Sequence, residues 1–501
     1  MDSCGVNAGC NAGGVSSTTR LGGNHVTRAA RSFHTFCDRI TEGLLWGMIV
    51  FSPWAFGTTQ PWSITVMNAG GLLLGLLLVC KWSIRKSTGL TLERWSEGAP
   101  RWLTVTLVAL TVLPLLYCLI SAANGRAAFT EADSSFVYQD CIPWLPHSYD
   151  AGSTWSFFWR WFALALVFWA ARDFLLTGSA APSKREGPPA RLKRLLWVLS
   201  INGGLLALEG LVQRALGSTE LLWILEPRIN KSPEAQFGPY AYRSNATQYL
   251  LLAWPVALGF WSWIKEERRR EGPPVHNYLL PCVLMMAMVP LFSLSRAGAI
   301  IGVVTLIGAA LVLLAKGRKQ GDRTSVIVAI TLLIAIVLGG LVEWGHLAKR
   351  FASDPLDSGR HEIWRNTWQM IQDYRVYGTG PGTFASVYHM YRPSAEDNWA
   401  AHAHNDWLEA LVTFGIVGAT PIFAALALIL LWPWFCKGRR LPGAFKTCVY
   451  LSMGSCLAYS ILDLPLKVYS IAFLFVLVTT LATLEGNGRR FEGRISRSKD
   501  A

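Results

Sequence analysis

Long apolar stretches alternate with short polar segments along most of this chain. About 20 consecutive apolar residues form a helix long enough to cross a bilayer. With that length as the measure, the sequence predicts an all-α polytopic membrane protein with twelve transmembrane helices, at residues 42–59, 62–80, 102–122, 154–176, 194–215, 244–264, 276–294, 297–315, 324–343, 406–435, 445–464 and 467–485.

The pattern divides the chain into five parts around one large polar interval. We predict a disordered cytoplasmic N-terminal tail, transmembrane helices 1–9, a large and partly helical periplasmic loop, transmembrane helices 10–12, and a basic cytoplasmic tail. Their boundaries are 1–41, 42–343, 344–405, 406–485 and 486–501.

The first half of the large loop contains a helix signal. Asp357 or Ser358 can cap a helix in which Trp364, Trp368 and Ile371 recur on one face. This spacing predicts that the two tryptophans and the isoleucine dock onto the protein, while the arginines of the helix, Arg360 among them, face water.

Two further signals lie in the second half of the loop. The glycine-rich run 378–382 follows a helix and is not followed directly by another one, so it predicts a turn and not a phosphate-binding loop. Asp406 and Glu409 have the spacing of a capping box. A helix starting there would place His404 and Asn405 beside its positive end, where anions are favoured.

The basic charge of the chain fits a membrane better than a nucleic acid. The chain carries 46 Lys and Arg against 32 Asp and Glu. The basic residues form short clusters between apolar stretches, and 32 of the 46 fall in the tails and alternate loops on one side. This bias predicts that both termini are cytoplasmic and that the large loop is periplasmic. The ten cysteines are scattered, so neither a disulfide framework nor a metal site is predicted, and no cofactor is expected.

Three charged residues stand at or inside the predicted outer membrane boundary. Arg243 and Arg296 each lie where an outer turn meets a helix, and Glu209 lies within the fifth predicted span. Arginines at such a boundary often only extend to lipid headgroups. An intramembrane carboxylate is a functional candidate, although pairing with Arg160, Arg214 or Arg243 would give it a purely structural role.

Several segments together resemble one family, the O-antigen ligase and polymerase superfamily of bacterial envelope glycan enzymes. The resemblance covers roughly residues 200–485. It rests on the segments 243–245 and 248–255, Ser-Leu-Ser-Arg-Ala-Gly at 293–298, Ser-Gly-Arg-His-Glu-Ile-Trp at 358–364, the glycine-rich turn with its following Thr-Phe, His-Asn-Asp-Trp-Leu at 404–408, Phe-Gly-Ile-Val-Gly at 414–418, and Asp-Leu-Pro at 463–465.

The resemblance implies a bacterial inner-membrane enzyme with its active site facing the periplasm. Such an enzyme transfers a glycan from an undecaprenyl diphosphate carrier to an acceptor, without a metal. The acceptor would be the lipid A core, a growing polysaccharide or a protein hydroxyl, and these remain open. The implied catalytic residues are His404, Arg296 and Arg243. We add Asn405, Arg360, Asp463 and Glu209 as candidate substrate-binding residues.

These residue types suit that chemistry. Guanidinium groups stay protonated and grip phosphate oxygens in a fork, which stabilises a diphosphate leaving group. A neutral imidazole can take the proton of the attacking hydroxyl. A loop histidine can equally be structural, and His402 competes with His404 for the role of base. A transporter or flippase for lipid-linked glycan, and a scaffold for envelope enzymes, remain the alternatives to an enzyme.

Overall fold

The structure is a computed structural model, and it describes residues 17–90, 101–130, 132–177, 189–268, 275–353, 358–392, 400–435 and 441–484. These residues form fourteen α-helices and one β-hairpin. The helices are α1 (Ser17–Trp54), α2 (Pro61–Thr88), α3 (Arg101–Ala123), α4 (Ala151–Leu176), α5 (Ala190–Ala215), α6 (Arg243–Arg268), α7 (Leu279–Phe292), α8 (Arg296–Gln320), α9 (Arg323–Ser353), α10 (Ser358–Asp373), α11 (Phe384–Tyr388), α12 (Asp406–Phe435), α13 (Gly443–Tyr459) and α14 (Tyr469–Ala482). The antiparallel hairpin pairs β1 (Ala127–Thr130) with β2 (Ser135–Tyr138).

Each of the twelve predicted spans coincides with one helix, namely α1 to α9 and α12 to α14. Helices α10 and α11 lie inside the predicted loop. Five helices in the described residues are long and apolar enough to cross a membrane: α2, α3, α5, α8 and α12. The protein is therefore a mostly helical, multi-pass membrane protein. The short hairpin between α3 and α4 was not predicted, because two four-residue strands leave little periodic signal.

Hydropathy alone finds fewer helices than the bundle contains, and helix α6 shows why. Its middle is buried on every side, and Trp254 and Trp261 are completely enclosed. Pro255 cannot donate a backbone hydrogen bond to the Leu251 carbonyl. Ser455 of α13 donates to that carbonyl instead, over 3.4 Å. Polar residues that serve such helix–helix contacts lower the apolar character of a helix that no lipid touches.

The N-terminal prediction needs correction. Residues 1–16 lie outside the described part of the chain, as does the predicted basic tail at 486–501, but α1 begins at Ser17. The second half of the predicted disordered tail is therefore helical. Asp38 explains this, because its buried carboxylate lies 3.1 Å from Lys81 and 2.8 Å from Arg191, which ties the helix to α2 and α5.

The ninth helix continues into the predicted polar interval. Helix α9 runs to Ser353, ten residues beyond the predicted end of its span. The candidate cap Asp357 lies outside the described residues, and α10 begins at Ser358. Segments 124–130, 132–150, 358–392 and 400–403 pack together into what we call the loop layer, which covers one end of the bundle, the loop end. Its small core is formed, together with Val412 of α12, by Tyr149, Met370, Phe384, Val387, Tyr388 and Ala403.

The glycine-rich run forms the predicted turn and docks into a break in α12. At Gly415 the helix has φ 60° and ψ −173°, which interrupts its hydrogen bonding. The amides of Thr379 and Gly380 donate to the freed carbonyls of Val412 and Thr413, over 2.9 and 3.0 Å. Those amides are thus engaged with the protein itself, which fits a turn and not a phosphate cradle.

Candidate functional site

The first residues of α6 and α8 meet at the loop end through hydroxyl groups. The Tyr459 hydroxyl, at the end of α13, lies 2.8 Å from Ser244 Oγ and 2.8 Å from Ser295 Oγ. Ser295 also caps α8 by accepting from the Gly298 amide. Ser244 directly follows Arg243, and Ser295 directly precedes Arg296. This hydroxyl cluster therefore fixes the backbone at both arginines.

Asp463 joins this cluster to the candidate base. Its Oδ2 accepts hydrogen bonds from Ser244 Oγ at 2.8 Å and from Gln248 Nε2 at 3.2 Å. Its Oδ1 lies 3.1 Å from Nδ1 of His404. The Asp463 side chain is 1% exposed and that of His404 is 33% exposed. The imidazole is therefore held through Nδ1 by a buried carboxylate and keeps access to solvent, which leaves Nε2 as the nitrogen for a substrate.

Three candidate arginines surround this pair. Arg296 is the first residue of α8 and Arg243 the first residue of α6, and both are partly exposed. Arg360 reaches from α10 to the carbonyl of Leu462, next to Asp463, and its Nη2 lies 3.4 Å from the Tyr242 hydroxyl. The prediction that Arg360 faces water is thus wrong, since its guanidinium contacts the turn that carries Asp463.

The register of α10 differs from the predicted one as well. The Trp364 indole donates to the Ala403 carbonyl at 2.9 Å, so it docks beside the histidine segment as predicted. Trp368 does not dock, because 54% of it is exposed. The completely buried positions are Thr367 and Met370. Spacing alone favoured the two tryptophans, whereas the loop layer accommodates a smaller side chain in its core.

The charges around the His404–Asp463 pair favour the binding of an anion. Helices α6, α8 and α12 all begin here, at Arg243, Arg296 and Asp406. A helix N-terminus carries a partial positive charge and unpaired amide groups. Three such ends, the guanidinium groups of Arg243, Arg296 and Arg360, and the Lys467 ammonium oppose the carboxylates of Asp463, Asp406 and Glu409. The site therefore combines an anion-attracting surface with an imidazole held by a carboxylate.

A second histidine–carboxylate pair lies beside the first. His402 Nδ1 is 3.2 Å from Glu409 Oε1, and the same oxygen is 2.8 Å from Lys467 Nζ. The other oxygen of Glu409 accepts from the Ala403 amide. Besides its histidine, Glu409 thus binds the Lys467 ammonium and the Ala403 backbone amide. Asp463 instead accepts from the Ser244 hydroxyl and the Gln248 side-chain amide, both on α6. The His404 pair is linked through Ser244 to the helix start that carries Arg243, whereas the His402 pair is linked to Lys467.

Backbone strain marks both turns that carry the candidate residues. His404 has φ 47°, and Leu294, two residues before Arg296, has φ 57°. Left-handed backbone is uncommon for residues other than glycine and costs about 1–3 kcal/mol where the surroundings enforce it. The bonds of His404 to Asp463 and of Ser295 to Tyr459 supply that enforcement.

The start of α12 differs in detail from the predicted capping box. The helix begins at Asp406 as predicted, but Asn405 is its cap. The Asn405 oxygen accepts from the amides of Trp407 and Leu408 at 3.0 and 3.1 Å. Asn405 therefore orients the segment bearing His404, and its oxygen is occupied. Asp406 instead accepts from the Leu466 amide and the Ser460 hydroxyl.

Glu209 stays outside this constellation. Neither of its carboxylate oxygens has a hydrogen-bond partner among the described residues. The predicted pairings with arginine are not seen there. Arg160 donates to the Lys467 carbonyl, and Arg214 donates to the carbonyls of Phe292, Glu234 and Gln236.

Sequence reasoning missed the residues that support the site. Arg214 and Arg243 both donate to the Glu234 carbonyl, so they fix the loop before α6 together. The hydroxyls of Ser244 and Tyr459 give no sequence signal.

Another histidine of the loop layer, His147, contacts the Leu145 carbonyl, and burial lowers its pKa. His147 is thus neutral near pH 7. Within the described residues, no group of three His, Cys, Asp or Glu side chains forms a metal-binding cluster.

One comparison with known proteins bears on this site. Residues 281–423 match the family model described as O-antigen ligase, which confirms the resemblance to that superfamily. The matched segment includes Arg296, Arg360 and His404, whereas Arg243 and Asp463 lie outside it. No curated protein matches the chain.

Proposed function

We propose, from the premise that residues 281–423 form an O-antigen ligase domain, that this chain is a membrane glycosyltransferase of O-antigen ligase type. It moves a glycan from an undecaprenyl diphosphate carrier to an acceptor hydroxyl at the periplasmic face of the bacterial inner membrane. The observation that carries the proposal is the convergence of the α6 and α8 N-termini, with Arg243 and Arg296, on the His404–Asp463 pair.

The arginines act on the leaving group. As the bond between the anomeric carbon and the phosphate oxygen breaks, negative charge builds up on the lipid diphosphate. Arg243, Arg296 and Arg360 offer guanidinium forks at the membrane boundary, where the reduced dielectric strengthens their attraction for phosphate oxygens. The N-termini of α6 and α8 add partial positive charge in fixed positions. This fixed arrangement favours the transition state over the less charged ground state.

His404 acts on the acceptor. Its Nε2 takes the proton of the acceptor hydroxyl while the oxygen attacks the anomeric carbon. One carbon–oxygen bond forms, one breaks, and the products are the glycosylated acceptor, the lipid diphosphate and an imidazolium. Asp463 is a positioning residue in this scheme and not a substrate ligand, because its Oδ1 fixes the Nδ1–H tautomer and offsets the imidazolium charge. A base in such a role contributes about 10²- to 10⁴-fold to the rate.

The membrane arrangement follows from the same proposal. Twelve helices cross the inner membrane, both termini are cytoplasmic, and the loop layer covers the periplasmic face. The bias of Lys and Arg toward one side of the chain supports this orientation. Lipid A core, a carrier-linked polysaccharide and a protein hydroxyl are the acceptor classes that such a site serves.

Glycan analysis of a deletion strain tests the function. Polymer left on its carrier identifies a ligase, and single repeat units on lipid A identify a polymerase. Complementation with His404→Ala or Arg296→Ala should leave surface glycan absent at a normal level of membrane-inserted protein. Full surface glycan with both variants would contradict the proposal. Counterflow of labelled lipid-linked glycan in proteoliposomes without a covalent product would indicate a transporter instead.

A further inference from the structure

An apolar crevice leads from the middle of the bundle to the segment that bears His404. It lies between α3, α4, α12 and α14 and has a volume of about 260 Å³. Apolar side chains such as Leu115, Trp161, Ala425 and Val476 line most of it. Helices α3 and α12 expose many of their other apolar side chains on the protein surface, so the crevice opens where lipid surrounds the bundle.

One buried polar atom faces this crevice without a partner. Asp406 lines the outer end of the crevice and is 8% exposed. Its Oδ2 is occupied by the Leu466 amide and the Ser460 hydroxyl. Its Oδ1 accepts no hydrogen bond from any described residue. A buried acceptor without a donor costs about 1–3 kcal/mol, which a bound molecule with an O–H or N–H group would recover.

The charge around the crevice differs from that around the arginines. At the crevice mouth, the Lys467 ammonium is neutralised by Glu409 at 2.8 Å, and the Asp406 carboxylate faces inward. A lipid diphosphate would meet a carboxylate there, whereas the segments that carry Arg243 and Arg296 are linked to His404 through Asp463 and the hydroxyl cluster. The crevice thus suits an apolar chain that carries a hydrogen-bond donor near its headgroup, and it does not suit a diphosphate.

We propose that this crevice binds the acyl chain of a lipid acceptor, and that a hydroxyl next to the lipid headgroup donates to Asp406 Oδ1. The inference rests on the proposed transferase function and selects a membrane lipid among its acceptor classes. The acceptor headgroup then reaches His404 from the α12 side, since Asp406 follows His404 by two residues. The diphosphate donor approaches from the side of α6 and α8.

Photocrosslinking on the purified full chain in lipid nanodiscs tests the crevice without requiring turnover. The probe is an N-(3-hydroxyacyl)glucosamine with a diazirine in its acyl chain, and mass spectrometry locates the labelled peptides. Labelling should fall on α3 and α12. Ala425→Trp fills the crevice and should reduce labelling at least about fivefold. Ala424→Trp, at the neighbouring exposed position that does not line the crevice, should leave labelling unchanged.

A second variant tests the role of Asp406. In Asp406→Asn, the carboxamide oxygen keeps the bonds to Leu466 and Ser460, and an NH₂ group replaces the free oxygen. The wild-type protein should prefer the hydroxylated probe over its deoxy analogue by roughly tenfold, because the hydroxyl donates to a buried oxygen that otherwise has no partner. Asp406→Asn should reduce that preference, because its NH₂ group cannot accept the hydrogen bond of the hydroxyl.

The outcomes separate this inference from the proposed function. Equal labelling of Ala425→Trp and wild type, or no preference for the hydroxyl in wild type, overturns the inference. Crevice labelling by a diazirine polyprenyl diphosphate that competes with the acyl probe assigns the crevice to the donor and also overturns it. In each case, loss of transfer in His404→Ala leaves the function standing. Crevice labelling that persists while His404→Ala transfers normally contradicts the function alone.

Discussion

Asp463→Asn is the substitution that most sharply tests the His404–Asp463 pair. Asp463 Oδ2 accepts from Gln248 and Ser244, so the single oxygen of asparagine is required on that side. The NH₂ group then faces Nδ1 of His404, 3.1 Å from the replaced oxygen. Nδ1 must accept that hydrogen bond, which puts the ring proton on Nε2. The imidazole then has the tautomer that cannot take a proton from the acceptor.

The size of the effect follows from that loss. The kcat for glycan transfer should fall about 10²- to 10⁴-fold, the full contribution of a general base. The KM for the lipid-linked donor should change less than about threefold, because the arginines are untouched. Transfer by purified protein, measured over a range of donor concentrations, separates the two parameters. The melting temperature should stay near that of wild type, since asparagine fills the same volume.

Glu409→Gln is the matched control. It removes the charge of the carboxylate in the His402 pair, and its melting temperature is compared with wild type because Glu409 also neutralises Lys467. If His404 is the base, Glu409→Gln should lower kcat far less than Asp463→Asn does. Wild-type kcat in Asp463→Asn, or a larger loss in Glu409→Gln, would refute the assignment of the base to His404.

Four further predictions follow from the structure. Arg296→Ala should lower the rate of glycan transfer in proteoliposomes about 10²- to 10³-fold. The rate of Arg296→Lys should lie between those of Arg296→Ala and wild type, because lysine keeps the charge but lacks the planar guanidinium. Gly415→Ala should lower the free energy of unfolding of the detergent-solubilised protein by at least about 1–3 kcal/mol in a thermal assay, since a Cβ there would lie 2.3 Å from the Val376 carbonyl oxygen. The control is Gly454→Ala, whose Cβ meets no atom within 4 Å and which should unfold like wild type. Lys81→Met should destabilise the fold by about 3 kcal/mol in the same assay, because it removes a completely buried cation from between Asp38 and Asp173. Unchanged stability would contradict the importance of this buried ion-pair network. In a background with Cys4, Cys10, Cys141 and Cys436 replaced by serine, an impermeant maleimide should label Trp144→Cys in intact cells and Lys319→Cys only after permeabilisation, and the reverse pattern would invert the proposed orientation.

The sequence was a good guide to the helices, and the individual site residues selected from it stay predictions. Apolar length alone located twelve helices, because each stretch is bounded by charge or glycine. His404, Arg296 and Arg243 were selected from the resemblance and from their positions at turn–helix boundaries. The structure brings their backbones together through residues that no motif marks, such as Tyr459.

Roles that depend on distant partners were not predictable. The contact of Asp463 with His404 had no sequence signal, because the two residues lie 59 positions apart. The oxygen of Asn405 caps α12, and the substrate-binding roles of Asp463 and Asn405 stay predictions. Trp368 fits the apolar face by spacing but is exposed, because the depth of the loop layer decides which face of α10 docks. Local periodicity contains none of this information.

The central claim is that His404 deprotonates the acceptor beside arginines that hold the diphosphate. The most direct measurement is the single-turnover rate of glycan transfer by purified wild type, His404→Ala and His402→Ala, with saturating undecaprenyl diphosphate-linked glycan. We expect His404→Ala to be slower by about 10²-fold or more, to regain part of its rate with added imidazole, and His402→Ala to stay within a few-fold of wild type. A wild-type rate for His404→Ala would contradict the claim.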